Sequence, residues 1–153
     1  MADSRDDIDA NLIKAFEQRS RADLHSANSL LKSGDYADAA YHAQQCAEKI
    51  VKCLLILNNQ FYRTHLTSGI FEECISLLDD KNEWKNKLND AVEEVRRLEK
   101  HWILPRYPEP YNEDVWNPIE EYTKKDAEEA IEKAKFVLDT LTGFMKEVHG
   151  IEF

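Results

Sequence analysis

The chain has 153 residues, 42% hydrophobic and 33% charged, and its 30 Asp and Glu against 20 Lys and Arg give a net charge of −10. That length fits one domain over residues 1–153, and the acidic balance disfavours whole-chain attraction to nucleic acid. Four glycines and four prolines leave little scope for a many-turned all-β fold, and no apolar run approaches the ~20 residues that span a bilayer.

The first residues, Met-Ala-Asp-Ser-Arg-Asp-Asp, lack the basic start and apolar core of a secretory signal. A cytoplasmic protein is expected. In that reducing setting Cys46, Cys53 and Cys74, which lie within helical apolar patterns and form no CxxC pair, should be free buried thiols and not zinc ligands. Charge is uneven along the chain. Residues 81–106 hold seven Lys and Arg against five Asp and Glu, while residues 109–153 hold five against twelve. A local nucleic-acid contact near residue 100 stays open; a broad basic groove does not.

Hydrophobic spacing predicts an all-α protein, an antiparallel up-and-down bundle of about five helices. The first covers about 7–33, where Ile13, Phe16, Ser20, Leu24, Ala27 and Leu31 recur at intervals of three and four. Gly34 ends it, and Asp35 can cap the next. The second covers about 36–58, with Ala40, Ala43, Ala47, Ile50, Leu54 and Leu57 on one face. Its alanine-rich early turns allow a neighbouring backbone to come close.

A shorter helix is expected over about 68–78, with Thr67 as cap and Ile70, Cys74 and Leu77 inward. A fourth, about 82–101, carries the stripe Trp84, Leu88, Ala91, Val95, Leu98 and Trp102. Residues 103–122 read as one long irregular connection, and loops of that length are commonly functional. Thr123-Lys124-Lys125-Asp126 resembles a capping box and opens a last helix to about 149. Its stripe is Ala127, Ile131, Ala134, Leu138, Leu141, Met145 and Val148, and Gly150 is its stop. Gly143, inside that helix, marks close helix contact or a bend.

Residues 100–111 are the richest in chemistry. They hold His101, Arg106, the rings of Trp102, Tyr107 and Tyr111, and three prolines, where an ordinary connector is small and polar. Pro105 and Pro108 restrict the backbone on both sides of Arg106 and Tyr107. His101 is a general acid/base candidate, or a structural histidine at a helix end. Arg96 lies five residues before it and Arg97 four. A histidine and an arginine together can drive attack of a ribose 2′-hydroxyl on an RNA phosphodiester without metal.

On a regular helix, residues four apart differ by ~40° and residues five apart by ~140°. Arg97 can therefore flank His101, with Glu93 as its ion-pair partner, while Arg96 reaches the ring only if the helix end unwinds. Gln44, Gln45, Glu48 and Lys49 face solvent or, if buried, must be paired. His25, His42, His65 and His149 have no metal-ligand spacing. No HExxH, glycine-rich phosphate loop or GxSxG occurs, so neither metal nor cofactor is expected.

Four motifs in order resemble the HEPN domain family of small helical prokaryotic proteins. They are Gly34-Asp35-Tyr36-Ala37-Asp38-Ala39-Ala40, Gln45-Cys46-Ala47-Glu48-Lys49-Ile50-Val51-Lys52-Cys53-Leu54-Leu55, Glu99-Lys100-His101-Trp102-Ile103-Leu104-Pro105-Arg106-Tyr107-Pro108 and Tyr122-Thr123-Lys124-Lys125-Asp126-Ala127-Glu128-Glu129-Ala130. The resemblance implies a helical bundle that is usually a homodimer. It also implies a frequent partner, a minimal nucleotidyltransferase from an adjacent gene, in a toxin–antitoxin-like module.

The family's metal-independent RNases carry R-x4–6-H, which Arg96 and His101 match. Their toxins usually place an amide or acidic residue after the arginine, where this chain has Arg97. Some carry a tyrosine two residues after the histidine that the partner modifies with AMP, where this chain has Ile103. The reading taken is therefore a HEPN dimer that binds a nucleotidyltransferase, with a nucleotide or RNA as further ligand. Arg97, Trp102, Arg106, Tyr107, Tyr111, Gln45 and Lys49 are its binding residues. The alternative is a metal-independent RNase with Arg96 and His101 as its catalytic pair.

Overall fold

A computed structural model of the chain describes residues 3–60 and 63–153. The elements in order are α1 (Asp3–Ser33), α2 (Tyr36–Leu57), α3 (Ser68–Ser76) and α4 (Trp84–Leu98), a 3-10 turn (Glu99–Trp102), the strands β1 (Glu109–Tyr111) and β2 (Asp114–Trp116), α5 (Pro118–Glu121) and α6 (Lys124–His149). The fold is the expected all-α antiparallel bundle. Its main packings are α1 on α2, α2 on α6 and α4 on α6.

The core follows from where apolar residues recur. Ile13, Ser20 and Ala27 of α1 are buried, as their spacing requires, and the Ser20 hydroxyl donates to the Cys46 carbonyl at 2.7 Å. α2 exceeds its predicted stripe. It is buried nearly all round, because α1, α4 and α6 pack on it and α3 and the 3-10 turn touch it as well. Ala37, Ala39, Ala40 and Ala43 lie on its buried surface, where a missing side chain lets a neighbour approach. Among the described residues no helix is long and apolar enough to cross a membrane.

The helix ends are closed by specific bonds. Gly34 takes φ +83 at the end of α1, a conformation that costs glycine little. Thr123 and Asp126 form the full capping box of α6, and Gly150, at φ 64, closes it. Asp35 makes no side-chain cap to α2; its carbonyl instead accepts from Ala39. Thr67 likewise makes no side-chain cap to α3. Glu99, from beyond the end of α4, accepts the Ser68 amide at 2.9 Å in its place.

Three other expectations are corrected. Leu77 is 74% exposed, because α3 ends at Ser76; its inner face is Phe71, Cys74 and Ile75. Val148 is 45% exposed, because the buried stripe of α6 ends at Met145. Residues 103–122 are not irregular. β1 and β2 pair antiparallel as Glu109 with Trp116, Pro110 with Val115 and Tyr111 with Asp114, around a tight turn in which Asn112 takes φ 55. α5 follows, with the Asn117 side chain capping its Ile119 amide.

Gly143 is a close-contact glycine. A Cβ there would meet Trp84 Cη2 at 3.2 Å, and the Trp84 ring lies edge-on to Phe144 with centroids 5.8 Å apart. Gly143→Leu should therefore force α4 and α6 apart and destabilise the protein by about 1–3 kcal/mol. Urea unfolding checks this; an unchanged or higher midpoint would mean that Trp84 yields without cost.

Candidate functional site

α4 stops being an α-helix at Leu98, and the next four residues tighten into the 3-10 turn. The regular-helix angles therefore do not carry through to His101. The His101 ring is 7% exposed, and its Nδ1 lies 2.7 Å from the Tyr122 hydroxyl just before α6. Burial holds its pKa down at about 4, and Lys100 and Lys133 outweigh the opposing pull of Asp126. At neutral pH the ring is uncharged. Burial also pushes the Tyr122 phenol well above its ordinary range, so it stays protonated.

The arginines before His101 lead in different directions. Arg96 is exposed and binds Glu93 at 2.6 Å and Glu72 of α3 at 2.8 Å. Its guanidinium is thus committed to α3, while the His101 ring is committed to Tyr122. Arg97 pairs with Glu94 at 2.7 Å, not with Glu93 as expected; the i,i+3 spacing serves both arginines. Arg97, Lys100, His101 and Lys133 share a small cavity of about 240 Å³ with Asp126 and Glu129. It adjoins a wider groove between α4 and α6 in which Asp90, Glu93, Glu94, Glu129 and Glu132 outnumber Arg97 and Lys133.

Arg106 is held differently. Its Nε donates to the Trp102 carbonyl at 2.6 Å, and its guanidinium carbon lies 4.9 Å from the Tyr41 ring centre, 5.1 Å from Tyr107 and 5.3 Å from Trp102. The rings attract the cation and hold it among them. Among the described residues Arg106 meets no carboxylate, unlike Arg19, Arg21, Arg96 and Arg97. Arg106 also lines a cavity of about 350 Å³ between the start of α2, Pro105, Pro108 and α5. Tyr107 is 55% exposed, and Tyr111, on the hairpin, 62%.

The Trp102 ring stacks on His65, with centroids 4.6 Å apart and planes 18° apart. His65 Nδ1 lies 2.8 Å from Glu48 Oε1. Glu48 is buried and also meets Gln45 Nε2 at 2.8 Å and Lys52 at 3.3 Å. Gln45 donates to Gln44 as well, at 2.7 Å. Lys49 binds the buried Asp23 and reaches Gln45 Oε1 at 3.1 Å. Gln44, Gln45 and Glu48 of α2 are therefore buried, Lys49 and Lys52 partly so, and all are paired in a polar layer behind Trp102.

Tyr41, His65, Asp23 and Tyr122 are the parts of this site that spacing alone missed. Only Tyr122 carried a local signal, an aromatic set against a capping box. Cys46, Cys53 and Cys74 are free and buried, as expected. Burial pushes the Cys46 thiol up to about 11 and Cys53 up to about 12, so neither is a nucleophile at neutral pH. No group of three or more metal-ligating side chains occurs among the described residues.

A family model described as "HEPN domain" matches residues 13–145. The chain belongs to the HEPN domain family. This HEPN protein is 46% identical over 139 residues, 91% of each chain, to a Methanocaldococcus jannaschii protein named "Putative toxin MJ1304". Among solved structures it is similar to TT1696 from Thermus thermophilus, with a TM-score of 0.66, 28% identity, and coverage of 86% of this chain and 96% of that one. It is also similar to ST0689, an archaeal HEPN homologue, with a TM-score of 0.63, 30% identity, and coverage of 88% and 98%.

Proposed function

We propose that this HEPN protein works by binding: a homodimer that partners a minimal nucleotidyltransferase in a toxin–antitoxin-like module, with a nucleotide as further ligand. The observation that carries the reading is the contrast between His101 and Arg106. His101 is buried, uncharged and already bonded to Tyr122, and Arg96 is bound to Glu72. Arg106 is held among three rings, with its terminal nitrogens free of any carboxylate among the described residues. A guanidinium held in this way accepts a phosphate or carboxylate at little entropic cost, and the exposed Tyr107 supplies a face for stacking. Its relative's name adds support for the toxin–antitoxin setting.

Calorimetric titration of the full chain with a minimal nucleotidyltransferase from the same genome, and separately with ATP, tests this. Binding of either is expected, and Arg106→Ala should weaken the nucleotide titration about 10-fold or more. No heat with either ligand would remove the reading.

The RNase alternative has one observation in its favour, the cavity that Arg97, Lys100 and Lys133 share with His101. Five carboxylates line the adjoining groove and oppose a polyanion there, and a ring with a pKa of about 4 is a weak base at neutral pH. Incubation with RNA in chelator should give no cleavage above that of His101→Ala; faster cleavage by the native chain would reverse the preference.

A further inference from the structure

The hairpin and α5 turn Trp116 and Pro118 toward the helices: Pro118 is buried, and Trp116, partly buried against the core, donates its Nε1 to the Leu104 carbonyl at 2.9 Å. What they expose is unusual. Val115 is 59% exposed, Ile119 86%, Tyr107 55% and Tyr111 62%. Ile119 lines the same cavity as Pro105, Arg106 and Pro108, so α5 and the Tyr107 segment are neighbours. The same stretch carries Glu109, Glu113, Asp114, Glu120 and Glu121, all exposed. Between Tyr107 and Tyr122 there is no Lys, Arg or His, and none of the five carboxylates meets a basic side chain among the described residues.

The face is not built for strand addition. Pro110 has no amide hydrogen, so its pairing with Val115 is the non-hydrogen-bonded type, and the outer edge of β1 lacks a donor there. The outward Val115 amide is already taken by Asp114 Oδ1 at 2.8 Å. Both edges are thus blunted, and what remains is a surface of side chains. Trp116 points inward, so Val115 and Pro110, one residue out of step with it and its partner, face solvent on the outward side, while Glu109, Tyr111 and Asp114 lie on the Trp116 side and the outward rim is supplied by Glu113, Glu120 and Glu121.

We propose that this outward side of the hairpin and α5 docks a protein whose contact surface is apolar at its centre and basic at its rim. The inference rests on the partner reading above and gives that partner's face its chemistry. Charge complementarity selects the occupant. A symmetric contact with a second copy would set the acidic rim against itself, and the same rim repels nucleic acid and anionic lipid.

The test uses the full chain and the minimal nucleotidyltransferase of the same genome. Val115→Ser with Ile119→Ser removes the apolar centre. Glu120→Lys with Glu121→Lys reverses part of the rim. Asp139→Lys with Glu147→Lys makes the same charge change on exposed α6 positions as a control. The first two pairs should each weaken binding about 10-fold or more, the rim pair with a changed salt dependence, while the control binds as the native chain does. All the altered side chains are exposed, and circular dichroism verifies the fold. Native binding with unaffected V115S/I119S and E120K/E121K variants overturns the docking face and leaves the partner reading intact. A native chain that does not bind overturns both. Equal weakening by the control, or dissociation of a homodimer by the apolar pair, also overturns the face.

Discussion

Glu48→Ala should lower the unfolding free energy by about 3 kcal/mol, the scale for removing one member of a buried polar or charged pair. The Glu48 side chain is 2% exposed and takes bonds from Gln45, His65 and Lys52. Alanine leaves Lys52, whose side chain is only 11% exposed, without its counter-charge, and Gln45 with Gln44 and Lys49 as its side-chain partners. For a chain of this length the melting temperature should fall by about 6–12 °C. Glu48→Gln, which keeps an acceptor, should cost clearly less. Urea and thermal unfolding measure both; a loss under ~1 kcal/mol for alanine would show that water replaces the carboxylate freely. The effect should also reach the site, because Glu48 orients His65 and His65 supports the Trp102 ring.

Acid should destabilise the native chain more than a His101→Gln variant, and only over a defined window. In the unfolded chain the imidazole has its ordinary pKa of 6.5, while in the fold burial holds it at about 4. Above pH 6.5 both states are neutral there and stability does not depend on this group. Below pH 6.5 the unfolded chain takes up a proton that the folded chain refuses, so stability falls as pH falls. The fall ends near pH 4, where the folded ring is protonated too. At 1.36 kcal/mol for each pH unit, the loss over that span is on the order of 3 kcal/mol. Unfolding free energies of native and variant chains, compared from pH 7.5 to pH 4, isolate the contribution of the ring from carboxylates titrating in the same range. Parallel curves would mean that the ring is open to water and not sealed against Tyr122.

Much of the helical frame was legible because burial leaves a period of three to four residues. The stripes of α1 and α4 and the capping box of α6 are in place. α2 was harder. Its central position buries Gln44, Gln45 and Glu48 along with its alanines, and polar residues with distant partners blur a hydrophobic period. The hairpin was hidden because its turn holds no glycine and β1 holds a proline, so local propensity pointed away from strand. Within the site, spacing named His101 and Arg96 but not their states. Those are set by Tyr122, 21 residues on, and by Glu72, 24 residues back. Contacts of that separation are decided by how the helices pack, and no local pattern records them.

The bond from Ser68 to Glu99 ties the opening of one helix to the close of another. Because the Ser68 amide has no bond inside its own helix, its shielding from solvent depends on a carboxylate thirty-one residues away. Hydrogen exchange at that amide therefore reports on the turn that carries His101, and fraying of either segment is felt by the other.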